Sequence, residues 1–364
     1  MATPRPNSMR ILLPDEKVRD VLRKKKKRRR SRRMVVLSVL GVAAVAFYAF
    51  PGTRQPRDLY ATVDRQVLFS LAEARGDYPL NRIDVGGTIW SYRRAGGGNE
   101  AVVFLHGMEG TSDIWWQQLR SLDSYKGLAA NYGRVRTAEQ AAAGIVAILD
   151  AEGVGRAHVV GTSLGGIIAQ AFATRSPERV RSLVLSNTVV PGGKLQGHPR
   201  SQVMLGALTP TWVMRTRLRR TVLNEVFPTS GRSALVRDYV LQQSYLMSRE
   251  DFTTRSRLLG SDFDPPRIVE EQIPTLIIES DNDPLVREAE RAELRDTYPS
   301  ASVVTLDAAG HCPYLNRPAQ YTRTLDDFFS SLRSADGVSE MSSDTTQADD
   351  MGIDGAGAAA DTIG

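Results

Sequence analysis

One serine of this sequence lies in a pattern that can present it as a nucleophile. Gly161-Thr162-Ser163-Leu164-Gly165 has the form G-x-S-x-G, in which a strand turns abruptly into a helix and lifts the serine hydroxyl above a sheet. The turn strains the serine backbone, and side chains at the glycine positions would collide with neighbouring backbone. The amide groups that begin the helix favour negative charge beside the serine. The pattern predicts acyl transfer through a covalent serine intermediate, and the alternative is a serine in an ordinary strand-to-helix turn.

A serine nucleophile needs a general base and an acidic group that orients the base. His311 follows a strand predicted at Ser302–Leu306 and is preceded by glycine, which favours it as the base. Two aspartates, Asp281 and Asp283, follow a strand predicted at Thr275–Ile278. Either of them could supply the carboxylate, and a purely turn-forming role before Pro284 is the alternative for Asp283.

These side chains must be carried by strands that end close together. Apolar runs at Ala101–Leu105 and Ala157–Val160 predict buried strands, and the second of them leads directly into the serine turn. A helix is predicted after the turn, from Leu164 to Phe172. Further predicted elements are a helix within Arg57–Arg75, two short strands around Gly86-Gly87, a weak strand within Tyr125–Arg136 and an alanine-rich helix at Ala138–Ala151.

Four segments carry a resemblance to a known family: HGMEG at 106–110, GTSLGGIIAQAFA at 161–173, RVRSLVLSNT at 179–188 and CPYLNRP at 312–318. With the shortened segment 125–136, they make residues 100–330 similar to the α/β-hydrolase superfamily, closest in pattern to the maspardin-like α/β-hydrolases. The resemblance implies an α/β fold with a mostly parallel central sheet and helices on both faces. It also implies a helical cap inserted at about residues 189–272.

The resemblance assigns roles to individual residues. The nucleophile, acid and base would be Ser163, Asp283 and His311, and the backbone N–H groups of Met108 and Leu164 would form an oxyanion hole. Asp283 is preferred over Asp281 because the superfamily pattern P-T-L-x-x-x-G-x-x-D, counted from Pro274, ends there. Two fixed donors at the oxyanion can contribute about 3 kcal/mol each. The side chain of His106 is expected to be buried beneath the loop.

Three asparagines depart from the superfamily pattern. Asn131 lies near a position where most members have aspartate, and Asn316 stands where many carry glutamate. The turn after the strand predicted at Ser182–Ser186 is the other place where the acid could lie. It carries Asn187, an amide, instead of a carboxylate.

The implied function is that of a serine hydrolase, most simply a carboxylic ester hydrolase acting on a small-molecule ester or acyl substrate. No metal and no organic cofactor is implied. Amide, thioester, lactone and C–C substrates stay open, because a fold does not fix a reaction. Serine rather than aspartate at position 163 argues against dehalogenase or epoxide hydrolase chemistry. Two other functions stay open: a membrane-tethered adaptor without activity, which the maspardin-like resemblance suggests, and a cofactor-free haloperoxidase-type activity.

The charge of the chain is concentrated at its two ends. The 364 residues carry a net charge of +6, of which residues 1–33 contribute +11 and residues 335–364 contribute −7, leaving +2 for everything between. The folded part is therefore nearly neutral, and the sequence predicts no nucleic-acid partner. Cys312 is the single cysteine, which excludes an intrachain disulfide and a cysteine-based metal site. No feature of the sequence predicts an oligomeric state.

The amino terminus has the composition of a membrane anchor. A basic segment ends in RKKKKRRRSRR at 23–33 and leads into seventeen residues without charge, 34–50. About 17 apolar residues suffice to span a bilayer, so we expect a transmembrane signal anchor with the basic segment cytoplasmic and the remaining chain on the other side. A cleaved signal peptide is the alternative, with Ala44-Val45-Ala46 resembling a cleavage site.

The expected organisation has five parts: a basic cytoplasmic segment at 1–33, the anchor at 34–50, a linker helix at 51–80, the hydrolase domain at 81–333 and a disordered acidic tail at 334–364. Within the cap, an arginine cluster at Arg215, Arg217, Arg219 and Arg220 could meet an acidic substrate or lipid headgroups. A solvated helix face is the simpler prediction for it.

Overall fold

Strands and helices alternate along most of the chain. The computed structural model describes residues 16–50, 55–192, 209–261, 263 and 272–348. The strands are β1 (Leu80–Val85), β2 (Thr88–Ala95), β3 (Ala101–Leu105), β4 (Lys126–Asn131), β5 (Ala157–Thr162), β6 (Val180–Ser186), β7 (Thr275–Ser280) and β8 (Ser302–Leu306). The α-helices are α1 (Glu16–Ala49), α2 (Arg65–Asp77), α3 (Trp116–Ser121), α4 (Ala138–Ala151), α5 (Leu164–Arg175), α6 (Thr211–Thr221), α7 (Phe227–Thr229), α8 (Ala234–Leu246), α9 (Arg249–Leu259), α10 (Glu288–Thr297), α11 (Pro313–Asn316) and α12 (Pro318–Ala348). Two 3₁₀ turns, Ser112–Trp115 and Pro177–Arg179, and a π-helical turn, Val222–Val226, complete the regular structure.

A single eight-stranded sheet has the order β1-β2-β4-β3-β5-β6-β7-β8. β1 and β2 form an antiparallel hairpin closed by Gly86 and Gly87, both with positive φ, and β2 pairs antiparallel with β4. All other neighbouring strands are parallel. The mostly parallel sheet implied by the resemblance is therefore confirmed, and its parallel strands end together on one edge.

The sheet is covered on both faces, which explains the continuous apolar sequence of its central strands. In β3, Phe104 packs on one face with Trp115, at 5.1 Å between ring centroids, and Leu105 points to the other face. The second face is covered by α4 and α5, which contribute Ile145 and Phe172 to its core. Both cores consist of buried apolar side chains that pack on the sheet and hold the edge where the strands end.

Helices α6 to α9 lie between β6 and β7 and form the cap that the resemblance implied. Met214 and Tyr239 are among the apolar residues buried in the cap. Leu246 is an exception, with 65% of its side chain exposed at the end of α8. Residues 193–208 and 264–271 of the expected cap lie outside the described residues.

Helix α1 contains a stretch, Arg19–Ala49, that is long and apolar enough to cross a membrane by length and composition. The helix is continuous from the basic segment into the uncharged run at 34–50. The following helix starts later than its periodicity predicted, at Arg65, because the carboxylate of Asp64 accepts the N–H of Gln66 at 2.7 Å and caps the helix there.

The last helix extends into the segment for which the sequence predicted a disordered tail. α12 continues to Ala348, where low apolar content predicted a disordered tail from residue 334. A scarcity of apolar side chains limits packing, but it does not prevent the local backbone hydrogen bonds of a helix. The rest of the predicted tail, residues 349–364, lies outside the described residues.

Candidate active site

Ser163 occupies the turn between β5 and α5, in a backbone conformation that few residues other than glycine adopt. Its φ is +53° and its ψ is −122°, a strain of about 1–3 kcal/mol that the surrounding structure must offset. Its N–H donates to the carbonyl of Ser186 at 3.1 Å. A Cβ added at Gly161 would lie 2.3 Å from the carbonyl oxygen of Gly165, and one at Gly165 would lie 2.2 Å from that of Leu105. The two glycines are therefore required by close approach of backbone.

His311 and Asp283 form a hydrogen-bonded pair, although 28 residues separate them in sequence. Asp283 follows β7 and His311 follows β8, and the parallel pairing of these strands brings the two loops together. Nδ1 of His311 lies 3.0 Å from Oδ1 and 2.9 Å from Oδ2 of Asp283. This contact assigns the imidazole proton to Nδ1 and leaves Nε2 as the nitrogen able to accept a proton.

The Asp283 carboxylate is buried and surrounded by donors. Oδ1 accepts the N–H groups of Leu285 at 2.8 Å and Val286 at 3.1 Å, and Oδ2 accepts the side-chain amide of Asn187 at 2.8 Å. Burial by itself raises the pKa of Asp283, but the charge of His311 and these hydrogen bonds outweigh burial. The net pKa lies below its usual value, so the carboxylate is ionised at neutral pH.

The other aspartate of this loop has a different environment. Asp281 is exposed, and its Oδ1 accepts the N–H of Ala308 at 2.8 Å, which supports the turn that leads to His311. Asn316 supports the same turn, because its amide donates to the carbonyl of Ala309 at 3.0 Å and to that of Ser230 at 3.2 Å.

The loop after β3 and the first turn of α5 face the same region as Ser163. Within the described part of the chain, the N–H groups of Met108 and Leu164 have no hydrogen-bond acceptor. Arg255 of α9 donates from Nη1 to the carbonyls of Met108 and Gly110, the latter at 3.1 Å. This contact turns the carbonyl of Met108 toward the cap. His106 beneath the loop is fully buried, as expected, and burial holds its pKa well below the usual value.

Ser163 and His311 line one small cavity under the cap, of about 40 Å³. Its walls are largely apolar, with described lining residues that include Ile114, Leu218, Val222, Val226, Val240, Leu285 and Tyr314. Leu218, Val222 and Val226 come from α6 and the π-helical turn, so this segment forms a wall contributed by the cap; we refer to it as the roof segment, Thr211–Val226.

Glu109 is the one carboxylate among the described residues that line this cavity. Burial raises its pKa, against the opposing charges of His311 and Arg255. For His311, burial opposes protonation, but the charge and hydrogen bond of Asp283 and the charge of Glu109 outweigh it. The pKa of His311 therefore lies above its usual value. Cys312 also lines the cavity, and burial raises the pKa of its thiol to about 12, which keeps it protonated and unreactive.

Comparison with known proteins shows the family of this chain. The sequence profile of the alpha/beta hydrolase family matches residues 102–324. The chain belongs to the alpha/beta hydrolase family. Human maspardin is 27% identical over 264 residues, which cover 68% of this chain and 82% of maspardin. The zebrafish (Danio rerio) maspardin is equally similar, at 27% over 263 residues, covering 68% of this chain and 81% of that protein.

Solved structures of other proteins share the fold. A membrane phospholipase A described as a bacterial virulence factor superposes with a TM-score of 0.59 at 22% identity, covering 84% of this chain and 99% of that one. The esterase RhEst1 from Rhodococcus sp. ECU1013 gives a TM-score of 0.59 at 22% identity, with 70% of this chain and 99% of that one covered. Among the described residues of this family member, no group of three or more His, Cys, Asp or Glu is placed to hold a metal ion.

Three residues at the site were not assigned a role from sequence. Asn187 was noted only as a missing carboxylate, yet it binds Asp283. Glu109 was part of a quoted motif, and its place next to Met108 was the available indication that it faces the site. Arg255 had no sequence indication, because its contact with the loop after β3 spans 145 residues or more.

Proposed function

We propose that this chain is a membrane-anchored serine hydrolase that cleaves carboxylic esters through an acyl-enzyme intermediate. The observation that carries the proposal is the buried Asp283–His311 pair at the wall of the cavity that also contains Ser163. An imidazole held by an ionised carboxylate, beside a serine on a strained turn, is the arrangement that general-base activation of a hydroxyl needs.

In the proposed reaction, Nε2 of His311 takes the proton of Ser163 as Oγ attacks the ester carbonyl. Asp283 keeps the proton of His311 on Nδ1 and stabilises the imidazolium that forms. The N–H groups of Met108 and Leu164 receive the negative charge that develops on the carbonyl oxygen. His311 then gives its proton to the leaving alcohol. In the second half of the reaction, Nε2 of His311 takes a proton from a water molecule that attacks the acyl carbonyl, and His311 returns that proton to Oγ of Ser163 as the carboxylic acid leaves.

The cavity supports an apolar acyl group as the part of the substrate nearest the serine, because its walls are mostly Ile, Leu, Val and Tyr. At about 40 Å³ it is much smaller than the ~300 Å³ or more of typical ligand pockets, so we infer that the roof segment, as the wall contributed by the cap, shifts when an ester of ordinary size binds. A π-helical turn within that segment is a feature often found where helices adjust near a site. The esterase and phospholipase A with similar folds act on esters, which agrees with this substrate class.

The anchoring part of the proposal rests on the helix Arg19–Ala49 and on the basic residues that precede its apolar part. Basic residues flanking an apolar helix are retained on the cytoplasmic side. We therefore place the amino terminus in the cytoplasm and the hydrolase domain on the opposite side of the membrane.

Replacing Ser163 by alanine tests the reaction. We expect Ser163→Ala to keep its fold and to lose hydrolysis of short p-nitrophenyl esters by about 10⁴-fold or more, together with labelling by a fluorophosphonate probe. Ser121→Ala, which changes an exposed serine at the end of α3, is the matched control and should behave as the wild type. Equal turnover by wild type and Ser163→Ala would refute the proposal.

A second candidate is favoured by the similarity to maspardin: a tethered adaptor that retains these residues without activity. The same probe separates the two functions. An adaptor would leave the wild-type protein unlabelled at concentrations that label an active serine hydrolase.

A further inference from the structure

The end of the anchor helix is held by the cap of the hydrolase domain. The indole N–H of Trp212, at the start of α6, donates to the carbonyl of Phe47 at 2.9 Å. That carbonyl belongs to the last turn of α1, where backbone carbonyls have no partner within the helix. The Trp212 ring also packs edge-on against Phe47 and Phe50, at 5.4 and 5.5 Å between centroids. A second cap helix contributes Arg249, whose guanidinium lies over the Tyr48 ring at 5.8 Å.

These aromatic residues mark the membrane boundary. Phe47, Tyr48 and Phe50 end the uncharged run of the anchor, and aromatic side chains concentrate where a spanning helix leaves the hydrocarbon. Because Trp212 joins this aromatic group, α6 begins at the level of the bilayer surface.

The roof segment has two faces of opposite character. Leu218, Val222 and Val226 line the catalytic cavity. Arg217 and Arg220 lie on the other side of the same helix and are exposed, with Arg219 exposed on its flank. Arg215 differs from these three, because it donates to the carbonyl of Tyr245 at 2.7 Å and is occupied within the cap.

Basic residues predominate on this face, and Glu225, exposed at the end of the roof segment, is the acid that follows them. From residue 187 to residue 224 the sequence contains six Lys or Arg and no Asp or Glu. Among the described residues, Arg217, Arg219 and Arg220 form no ion pair with a carboxylate. Three exposed guanidinium groups that form no ion pair with a described carboxylate, close to a bilayer, are complementary to anionic lipid phosphates.

The distances fit this partner whatever the tilt of the helix. Arg217 and Arg220 follow Trp212 by five and eight residues, or about 7.5 and 12 Å along a helix that rises 1.5 Å per residue. The headgroup layer is roughly 5–8 Å deep, and the field of an anionic surface extends about 8 Å further at physiological salt. The three side chains therefore stay within the headgroups or their field.

We propose that the exposed face of the roof segment, formed by Arg217, Arg219 and Arg220, docks on anionic phospholipid headgroups of the membrane that holds the anchor. The inference rests on the anchoring proposed above, but not on the hydrolytic reaction. It places the moving wall of the catalytic cavity against the lipid surface, so that lipid composition acts directly on the segment that controls access to Ser163. Each basic residue near an anionic surface favours the docked state about fivefold, and three together favour it by about 100-fold.

A fluorophore at Asn224 can report docking. Asn224 is exposed, one turn beyond Arg220 on the basic face, and the single natural cysteine, Cys312, is buried and does not compete for the label. The full chain with Asn224→Cys carries a nitrobenzoxadiazole label in nanodiscs that hold one copy each. One set of discs contains phosphatidylcholine alone, and the other set contains phosphatidylcholine with one-third phosphatidylglycerol. Both sets include phosphatidylcholine that carries a nitroxide on its headgroup, which quenches the label.

We expect at least threefold stronger quenching in discs with phosphatidylglycerol, and loss of that difference in 1 M salt, where the screening length is about 3 Å. Arg217→Gln/Arg219→Gln/Arg220→Gln should abolish the difference. Arg65→Gln/Arg82→Gln/Arg323→Gln is the matched control, because it removes three exposed arginines outside the cap and should quench as the wild type does.

Ser163→Ala in the labelled chain should also quench as the wild type does, since the readout does not need turnover. Quenching that is independent of phosphatidylglycerol, or that the cap triple variant retains, would overturn the proposal. Protein that fails to enter the discs would overturn the anchor and the docking together, and would leave ester hydrolysis to be judged by its own assay.

Discussion

Replacing Asp283 by asparagine removes the charge beside His311 with almost no change of shape. In the wild type the carboxylate accepts four hydrogen bonds, from His311, Asn187, Leu285 and Val286. An asparagine has one oxygen to offer. With that oxygen placed toward the two backbone N–H groups, its own NH₂ points at the amide of Asn187 and at Nδ1 of His311, which are both donors.

The size of the effect follows from this mismatch. A hydrogen bond to a charged group contributes about 1.5–3 kcal/mol, and about 1.4 kcal/mol corresponds to tenfold in rate. Loss of the charged bond alone therefore predicts a decrease of roughly 10–10²-fold. The introduced amide also favours the imidazole tautomer with the proton on Nε2, which cannot accept a proton from Ser163; the corresponding change in a serine protease cost about 10⁴-fold. We expect kcat to fall by 10²–10⁴-fold with little change in KM.

Steady-state hydrolysis of a p-nitrophenyl ester, with thermal unfolding as a check on folding, measures this effect. Asp281→Asn is the matched control, because Asp281 lies two residues earlier, is exposed and accepts the Ala308 N–H with its side chain. Its activity should stay within about threefold, since exposed charges are screened by water and salt. Residual activity of Asp283→Asn should also extend to lower pH, because Asp283 raises the pKa of His311. A larger loss at Asp281, or no loss at either residue, would show that the acid is misassigned.

Three further predictions concern the cavity, the serine turn and the anchor. His311 must be neutral to act as base, and the charge of Glu109 raises the pKa of His311. Glu109→Gln should therefore shift the acidic limb of the kcat/KM profile to lower pH, and a shift to higher pH would contradict the assignment of His311 as the base. Gly161→Ala should lower the free energy of unfolding in urea by about 1–3 kcal/mol because its Cβ meets the Gly165 carbonyl, whereas Gly155→Ala, with open space around it, should have little effect. A reporter that functions only outside the cytoplasm, fused after residue 364, should be active and remain with carbonate-washed membranes; soluble protein beginning near Phe47 would indicate a cleaved signal peptide instead.

Most of the framework of the site could be predicted locally. The strand before Ser163 follows from a short apolar run. The turn into the helix after it follows from Gly161 and Gly165, where the backbone is too close to other backbone atoms for a side chain. The strand at Ser302–Leu306 was predicted with its observed bounds, because alternation and turn residues are properties of adjacent sequence. The start of α2 was placed too early, since periodicity alone does not locate a capping side chain such as that of Asp64.

The contacts that distinguish one site residue from another are not local. The sequence determined which residue types stand at the ends of the strands, and it could favour Asp283 over Asp281 only through a family pattern. Strand pairing in the tertiary structure decided that Asp283 meets His311 while Asp281 supports a turn. It also placed Asn187 from β6 on the acid, and Arg255 from the cap on the loop of Met108. Such contacts join residues 27 to 147 positions apart, and their energies depend on burial and direction, which a linear pattern does not contain.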